Sequence, residues 1–203
     1  MKHTLRLLRI VKILKRFFFY FILTKILFSE DIAYKNFQKY VQSPNGCVFD
    51  IKYHQEYFNE KFESSGRFYS DKNFYIYDNQ LQCIKYEDGF ITTINKINKQ
   101  VIYDIVNEKD VTIFDILSGK SHNIQIGGSI IEKDGNRIPF YIDEWGIKGS
   151  IMTNYDNGSP KKITFYQDKD LNVEIIITAV ETSGKIFPPH YDTSGYEVID
   201  LIE

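Results

Sequence analysis

Residues 46–58 read GCVFDIKYHQEYF. Cys47, Phe49, Ile51, Tyr53 and Tyr57 fall on alternate positions, and Asp50, Lys52, His54 and Glu56 fall between them. Side chains of a strand alternate between its two faces, so this spacing predicts a long strand with one apolar and one wet face. Before it, residues 30–42 (EDIAYKNFQKYVQ) place Ile32, Phe37, Tyr40 and Val41 near one helical face, and Ser43-Pro44-Asn45-Gly46 ends that helix.

After it the chain reads as strands and turns. Candidate strands cover 62–69, 73–79, 81–87, 90–95 and 101–106, then 122–132, 137–144, 147–154, 161–167 and 171–180. Asp88-Gly89, Asp134-Gly135, Trp145-Gly146 and Asn157-Gly158 separate several of them, as hairpin turns require. About eleven strands with no parallel βαβ rhythm predict a mainly β (α+β) fold: a curved antiparallel sheet or incomplete barrel. Between the two strand sets, residues 107–119 predict a short helix, started by Asp110 and ended by Gly119, with Phe114 and Leu117 facing the sheet.

Residues 66–80, GRFYSDKNFYIYDNQ, break the alternation. Phe74, Tyr75, Ile76 and Tyr77 are all large and apolar or amphipathic, so both faces of this strand need cover. One side can be the sheet's own interior. The other can be a covering helix or a cavity for an apolar ligand, and composition alone leaves ordinary core packing open.

The protein has 203 residues, 43% of them apolar and 16% aromatic, enough for one sizeable core. Its net charge of −2 conceals a division. The first 28 residues hold seven Lys or Arg and no acid; the rest hold 18 basic against 27 acidic residues, a net −9. The basic head with its apolar run Phe17–Thr24 is too short to span a bilayer and reads as an export signal with cleavage near residue 29. The alternative is an uncleaved amphipathic membrane-surface helix. Residues 1–29 are therefore assigned as a targeting segment and 30–203 as a single domain, expected to act in the periplasm. An acidic body argues against nucleic-acid binding.

No constellation of catalytic or metal-binding residues stands out. His3, His54, His122 and His190 are scattered, and the glycines match no phosphate-binding pattern. His190–Gly195 contains the residue types of a triad but follows Pro188-Pro189 and reads as a surface loop. An enzyme is not expected, and neither a cofactor nor a metal is called for. Cys47 and Cys83 read as two unpaired core thiols, since their strands need not be neighbours.

The order of these pieces resembles the LolA family, periplasmic carriers of outer-membrane lipoproteins, over roughly residues 30–201. The matching pieces are Gly66-Arg67-Phe68-Tyr69, Phe74-Tyr75-Ile76-Tyr77, and Ile84…Asp88-Gly89…Thr93…Asn95. They continue with Ile113…Ile116-Leu117-Ser118-Gly119 and Phe187-Pro188…Gly195-Tyr196-Glu197-Val198-Ile199-Asp200. The resemblance implies a hollow for acyl chains, lidded by helices and lined here by Phe49, Ile51, Tyr53, Phe68, Phe74, Tyr75, Tyr77, Phe114 and Leu117. Tyr75 is expected at the cavity mouth, its hydroxyl partly exposed. The family carries Arg-Pro between its aromatic strands, the Arg holding the lid. Here the stretch is Ser70-Asp71-Lys72-Asn73, so Lys72 or Arg67 is expected in that role. The implied partners are acylated lipoproteins, an ATP-driven inner-membrane release complex and an outer-membrane receptor of the same fold, with the carrier itself a monomer. A membrane-tethered lipid-binding or envelope-sensing module of the same fold is the alternative.

Overall fold

A computed structural model of the chain describes residues 31–71, 74–106, 111–120, 122–167, 171–181 and 188–202. Residues 1–29, expected to be a targeting segment, and Lys72, Asp110 and Phe187 lie outside the described residues. Helix α1 (Ile32–Val41) comes first. Strands β1 (Cys47–Tyr57), β2 (Glu60–Ser70), β3 (Phe74–Asn79), β4 (Gln82–Glu87), β5 (Phe90–Asn95) and β6 (Gln100–Ile105) form one meander. Helix α2 (Ile113–Leu117) follows. The second strand set is β7 (Gln125–Ile126), β8 (Ile130–Glu132), β9 (Gly135–Ile142), β10 (Ile147–Thr153), β11 (Pro160–Gln167) and β12 (Leu171–Glu181). Strand β13 (Glu197–Asp200) closes the described chain.

These strands form one sheet in the order β13-β6-β5-β4-β3-β2-β1-β12-β11-β10-β9-β7, with β8 also pairing to β9. The two meanders meet at the antiparallel pair β1–β12. A bulge in that pair leaves Thr178 extra in β12, its Oγ1 donating to the Asp50 carbonyl at 3.1 Å. The fold is thus mainly β: a large, open, curved and mostly antiparallel sheet with an N-terminal helix and a short second helix.

The period-two reading of β1 holds. Cys47, Phe49 and Ile51 are buried, Tyr53 is half-buried, and Lys52 and Glu56 are exposed. The inward face of the sheet supplies the core: Phe49, Phe68, Tyr75, Ile138, Ile151, Ile163 and Ile175 each expose 1% or less, under Phe37 and Val41 of α1 and Leu117 of α2.

Several expectations are corrected. The expected strand 122–132 is two short strands, because Gly127-Gly128-Ser129 interrupts pairing to β9. Helix α2 starts at Ile113, after an extended Thr112, not at Asp110. Ile32 is 73% exposed; α1 packs through Ala33, Tyr34, Phe37 and Val41 instead. Gly158 explains how α1 is seated. Its φ is +72°, and a side chain there would meet the backbone of Asn36 and Phe37 at 2.5–2.7 Å, so the β10–β11 turn lies directly against the helix. Cys47 and Cys83 are both buried and free.

Candidate functional site

The site is built on two adjacent rows of inward side chains. Pairing registers align Phe49, Phe68, Tyr77 and Ile84 across β1 to β4, and Ser70, Tyr75 and Tyr86 beside them. Onto these rows α2 lowers one ring. Phe114 lies 5.7 Å from Phe68, 5.4 Å from Tyr75 and 5.4 Å from Tyr77 between centroids. Tyr75 in turn stacks on Tyr86 at 4.8 Å. Aromatic pairs at these spacings add about 0.5–1.5 kcal/mol each beyond burial.

A helix of five residues is far too short to persist on propensity. Local caps and distant contacts hold it. Thr112 and Asp115 form a capping box: Thr112 Oγ1 accepts from the Asp115 amide at 3.1 Å, and Asp115 Oδ2 accepts from the Thr112 amide at 2.8 Å. The Thr112 hydroxyl also donates to Asp115 Oδ2 at 2.7 Å. It therefore receives the Tyr75 hydroxyl, 3.2 Å away. At the other end, α1 satisfies the terminal carbonyls. Gln38 Nε2 donates to the Gly119 carbonyl at 2.9 Å, and Gln42 Nε2 donates to it at 3.1 Å and to that of Ser118 at 3.3 Å. Gly119 has φ +72°, and a side chain there would meet Val41 at 2.8 Å, so only glycine ends α2 this close to α1.

Lys120 is the cation beside α2. Its Nζ sits 3.8 Å from the Tyr86 ring centroid, 5.3 Å from that of Tyr75 and 3.5 Å from Asp115 Oδ1. Cation and carboxylate neutralise one another over the aromatic floor. The Tyr75 hydroxyl is held well above the usual tyrosine range, first by burial. It stays a neutral donor.

Beside Phe114 is a cavity of about 250 Å³. Ile51, Tyr53, Phe62, Ile84, Phe114 and Ile175 supply apolar walls, and Ser64, Asn79 and Gln82 a polar margin. That margin is hydrogen-bonded: Ser64 Oγ lies 3.1 Å from both the Tyr77 hydroxyl and Asn79 Nδ2. The volume falls just below the roughly 300–1,000 Å³ of pockets that enclose small molecules. Phe114 and α2 occupy the rest of the hollow.

Of the residues expected at the site, Ile51, Tyr53, Tyr77 and Phe114 line this cavity. Phe49, Phe68 and Tyr75 are fully buried beneath the helices, and Leu117 of α2 is fully buried in the same cluster. Tyr75 is not at a mouth, because Phe114 covers it. Phe74 is on the opposite face, since it alternates with Tyr75. It joins Ile76 in a groove that Pro188, Pro189 and Tyr191 also line. α2 thus packs on the inner face of Phe74–Tyr77, and the C-terminal segment borders the outer one. Tyr191 ties that segment down, donating to Asp78 Oδ1 at 2.6 Å, while Lys96 Nζ reaches the same oxygen at 2.7 Å.

Arg67 is also on the outer face, one residue from inward Phe68. It pairs with Asp50, Nε to Oδ1 at 2.8 Å, and so does not hold α2. Sequence reasoning missed Phe62, Ile84, Ile113 and Ile175 in the walls. The inward alternation of their strands was the available signal for Phe62, Ile84 and Ile175. Nothing local marked Lys120. Among the described residues, no cluster of His, Cys, Asp or Glu is placed to hold a metal ion.

These features define a class: an open curved sheet whose inner hollow is plugged by a short, externally pinned helix. No protein-family model matches the chain, and no curated protein matches its sequence. The fold itself is shared. An uncharacterized conserved protein from Thermus thermophilus superposes with a TM-score of 0.53 at 8% identity, over 83% of this chain and 96% of that one. A DUF1329 family protein from Desulfovibrio piger is similar at 0.44 and 8% identity (76% and 93% covered). A LolA superfamily protein from Nitrosomonas europaea is similar at 0.42 and 8% identity (75% and 92% covered).

Proposed function

We propose that this chain is a periplasmic carrier that shelters the acyl chains of lipoproteins and ferries them from the inner to the outer membrane. The observation that carries the reading is Phe114: one partly buried ring fills an apolar hollow, on a helix of five residues that is capped by polar contacts at both ends and seated on the core through Ile116 and Leu117. Such a plug can be exchanged for another apolar body without dismantling the sheet. Each methylene removed from water contributes about 0.8 kcal/mol, so an acylated protein crossing an aqueous space needs a dry host of this kind. The reading requires no chemical step, only binding and release. An inner-membrane release complex would supply cargo and an outer-membrane receptor would take it, as the sequence resemblance implies.

The test is retention of a purified acylated lipoprotein in detergent-free buffer, with mass spectrometry of whatever co-purifies from an envelope extract. Acylated polypeptides bound in stoichiometric amount support the reading. A protein that neither retains the lipoprotein nor takes up a fatty-acyl probe does not have this function.

A further inference from the structure

The β1–β2 turn is a two-residue loop, Phe58-Asn59, between Tyr57 and Glu60. Both central residues have positive φ, +46° and +66°. That is the geometry of a type I′ turn, which strongly favours Asn-Gly. A bulky residue there is a backbone outlier. Phe58 is the only apolar residue in this conformation among the described residues, and it is also 60% exposed. Neither the fold nor the hollow accounts for a strained phenylalanine in water. Strain of this kind points to function.

The surroundings are consistent with one use. Tyr57, 49% exposed, packs its ring against Phe58 at 4.5 Å. Register places the β9–β10 turn at the same end of the sheet: Tyr57 is opposite Leu171, Leu171 opposite Gln167, and Ile147 opposite Ile142. The crest of that turn is Trp145, 36% exposed and the protein's one tryptophan. The two crests stand four strands apart, on the order of 20 Å. Turns at the other end of the sheet are mostly polar, Asp88-Gly89 and Lys133-Asp134, with Tyr155 in its longer loop. Phe62, half exposed, connects the Tyr57-Phe58 crest to the hollow, for it meets the Tyr53 ring edge-on at 6.0 Å and lines the cavity.

We propose that this end of the sheet is a membrane-docking edge. Phe58 and Trp145 enter the headgroup–acyl boundary, and the apolar track through Tyr57, Phe62 and Tyr53 leads an acyl chain into the hollow. This rests on the carrier reading, since it names where the cargo is loaded. Two separated aromatic crests suit a fluid lipid surface, in which Trp and Tyr favour the interface; a protein partner would need a contiguous patch. Glu56, Glu60, Asp143 and Glu144 flank the crests, against Lys61 and Lys148. Docking is therefore by apolar insertion and gains nothing from anionic lipid.

The experiment uses the full chain and neutral phosphatidylcholine vesicles, which offer no charge to the basic first 28 residues. Vesicle sedimentation is read together with quenching of Trp145 by brominated phosphatidylcholine. The wild type should pellet and be quenched. Phe58→Asn relieves the turn, so its thermal midpoint should be unchanged or raised, while partitioning falls about tenfold or more. Because the apolar run Phe17–Thr24 could itself bring the chain to lipid, quenching decides: a wild type whose Trp145 is not quenched, or a Phe58→Asn variant quenched like it, overturns the proposal. Uptake of a soluble fatty-acyl probe separates the two readings. Uptake without docking overturns only the docking edge, and docking without uptake overturns the carrier reading alone.

Discussion

The rings of Phe114 and Phe68 lie nearly parallel, 9° apart at a centroid distance of 5.7 Å, one on a five-residue helix and the other on the sheet floor. In the proposed carrier, this pair is the contact that ligand entry would break. Phe114→Ala should therefore cost about 2 kcal/mol, less than the ~3–5 kcal/mol of a fully buried phenylalanine. It should also raise the uptake rate of a fatty-acyl probe, because the plug is gone. Stopped-flow fluorescence and thermal unfolding read the two effects, and unaltered uptake in a folded variant would remove Phe114 from the binding site.

The α1–α2 connection predicts where the molecule opens first. Gln38→Ala with Gln42→Ala removes the side-chain amides that hold the Gly119 and Ser118 carbonyls. The loss is about 1 kcal/mol for each hydrogen bond that water does not replace. Hydrogen exchange at the Ser118 and Gly119 amides, which bond back into α2, should accelerate while β1 and β12 amides stay protected. Uniform acceleration would mean that the helix and sheet open as one unit.

How much of this was legible beforehand depended on distance along the chain. Alternation in 46–58 and the Asp88-Gly89 turn predicted strands and a hairpin that the sheet contains, because both signals are local. The sequence points to Asp110 as the cap of α2, two positions before the actual Thr112, since both are good caps and the choice depends on Asp115 and Tyr75. Strand β13 has only four residues and pairs with β6 from nearly a hundred positions away, so no pattern in Glu197–Asp200 announced it. The inward aromatic set was readable by parity once strands were placed. Lys120 was not, because its place beside α2 depends on the Tyr86 ring that the fold brings beneath it.

Tyr75 separates packing from polarity. Tyr75→Phe removes only the bond to Thr112 and should cost about 0.5–1.5 kcal/mol with acyl binding intact. Tyr75→Glu puts a carboxylate in a fully buried site beside the buried Asp115, and the penalty of several kcal/mol should unfold the domain rather than merely block loading. Circular dichroism of the two variants decides. A folded Tyr75→Glu protein would show that the α2 region yields easily enough to hydrate a charge.

The thiols set an alkaline limit. Burial first, and nearby Asp71 second, push Cys47 up to about 12; burial likewise raises Cys83 to about 11. Both folded values lie above the ordinary thiol value of 9.0, so the folded state binds these protons more tightly than the unfolded chain. The stabilisation is complete below pH ~9 and is lost as pH rises toward 11–12. Thermal midpoints should fall across that window, and Cys47→Ala should flatten the fall. Iodoacetamide at pH 8 should label neither cysteine until denaturant is added.

The seam between β1 and β12 also governs how the chain reaches its native state. Each meander pairs neighbours in sequence, and such contacts form early. The seam joins Cys47–Tyr57 to Leu171–Glu181, near opposite ends of the domain, and it completes the floor on which α1 rests. High contact order of this kind slows folding. Until β12 arrives, the inner edge of β1 is unpaired and the aromatic floor is wet. A nascent chain therefore depends on holdase protection, or on rapid synthesis of its last strands, to avoid pairing that edge with another copy.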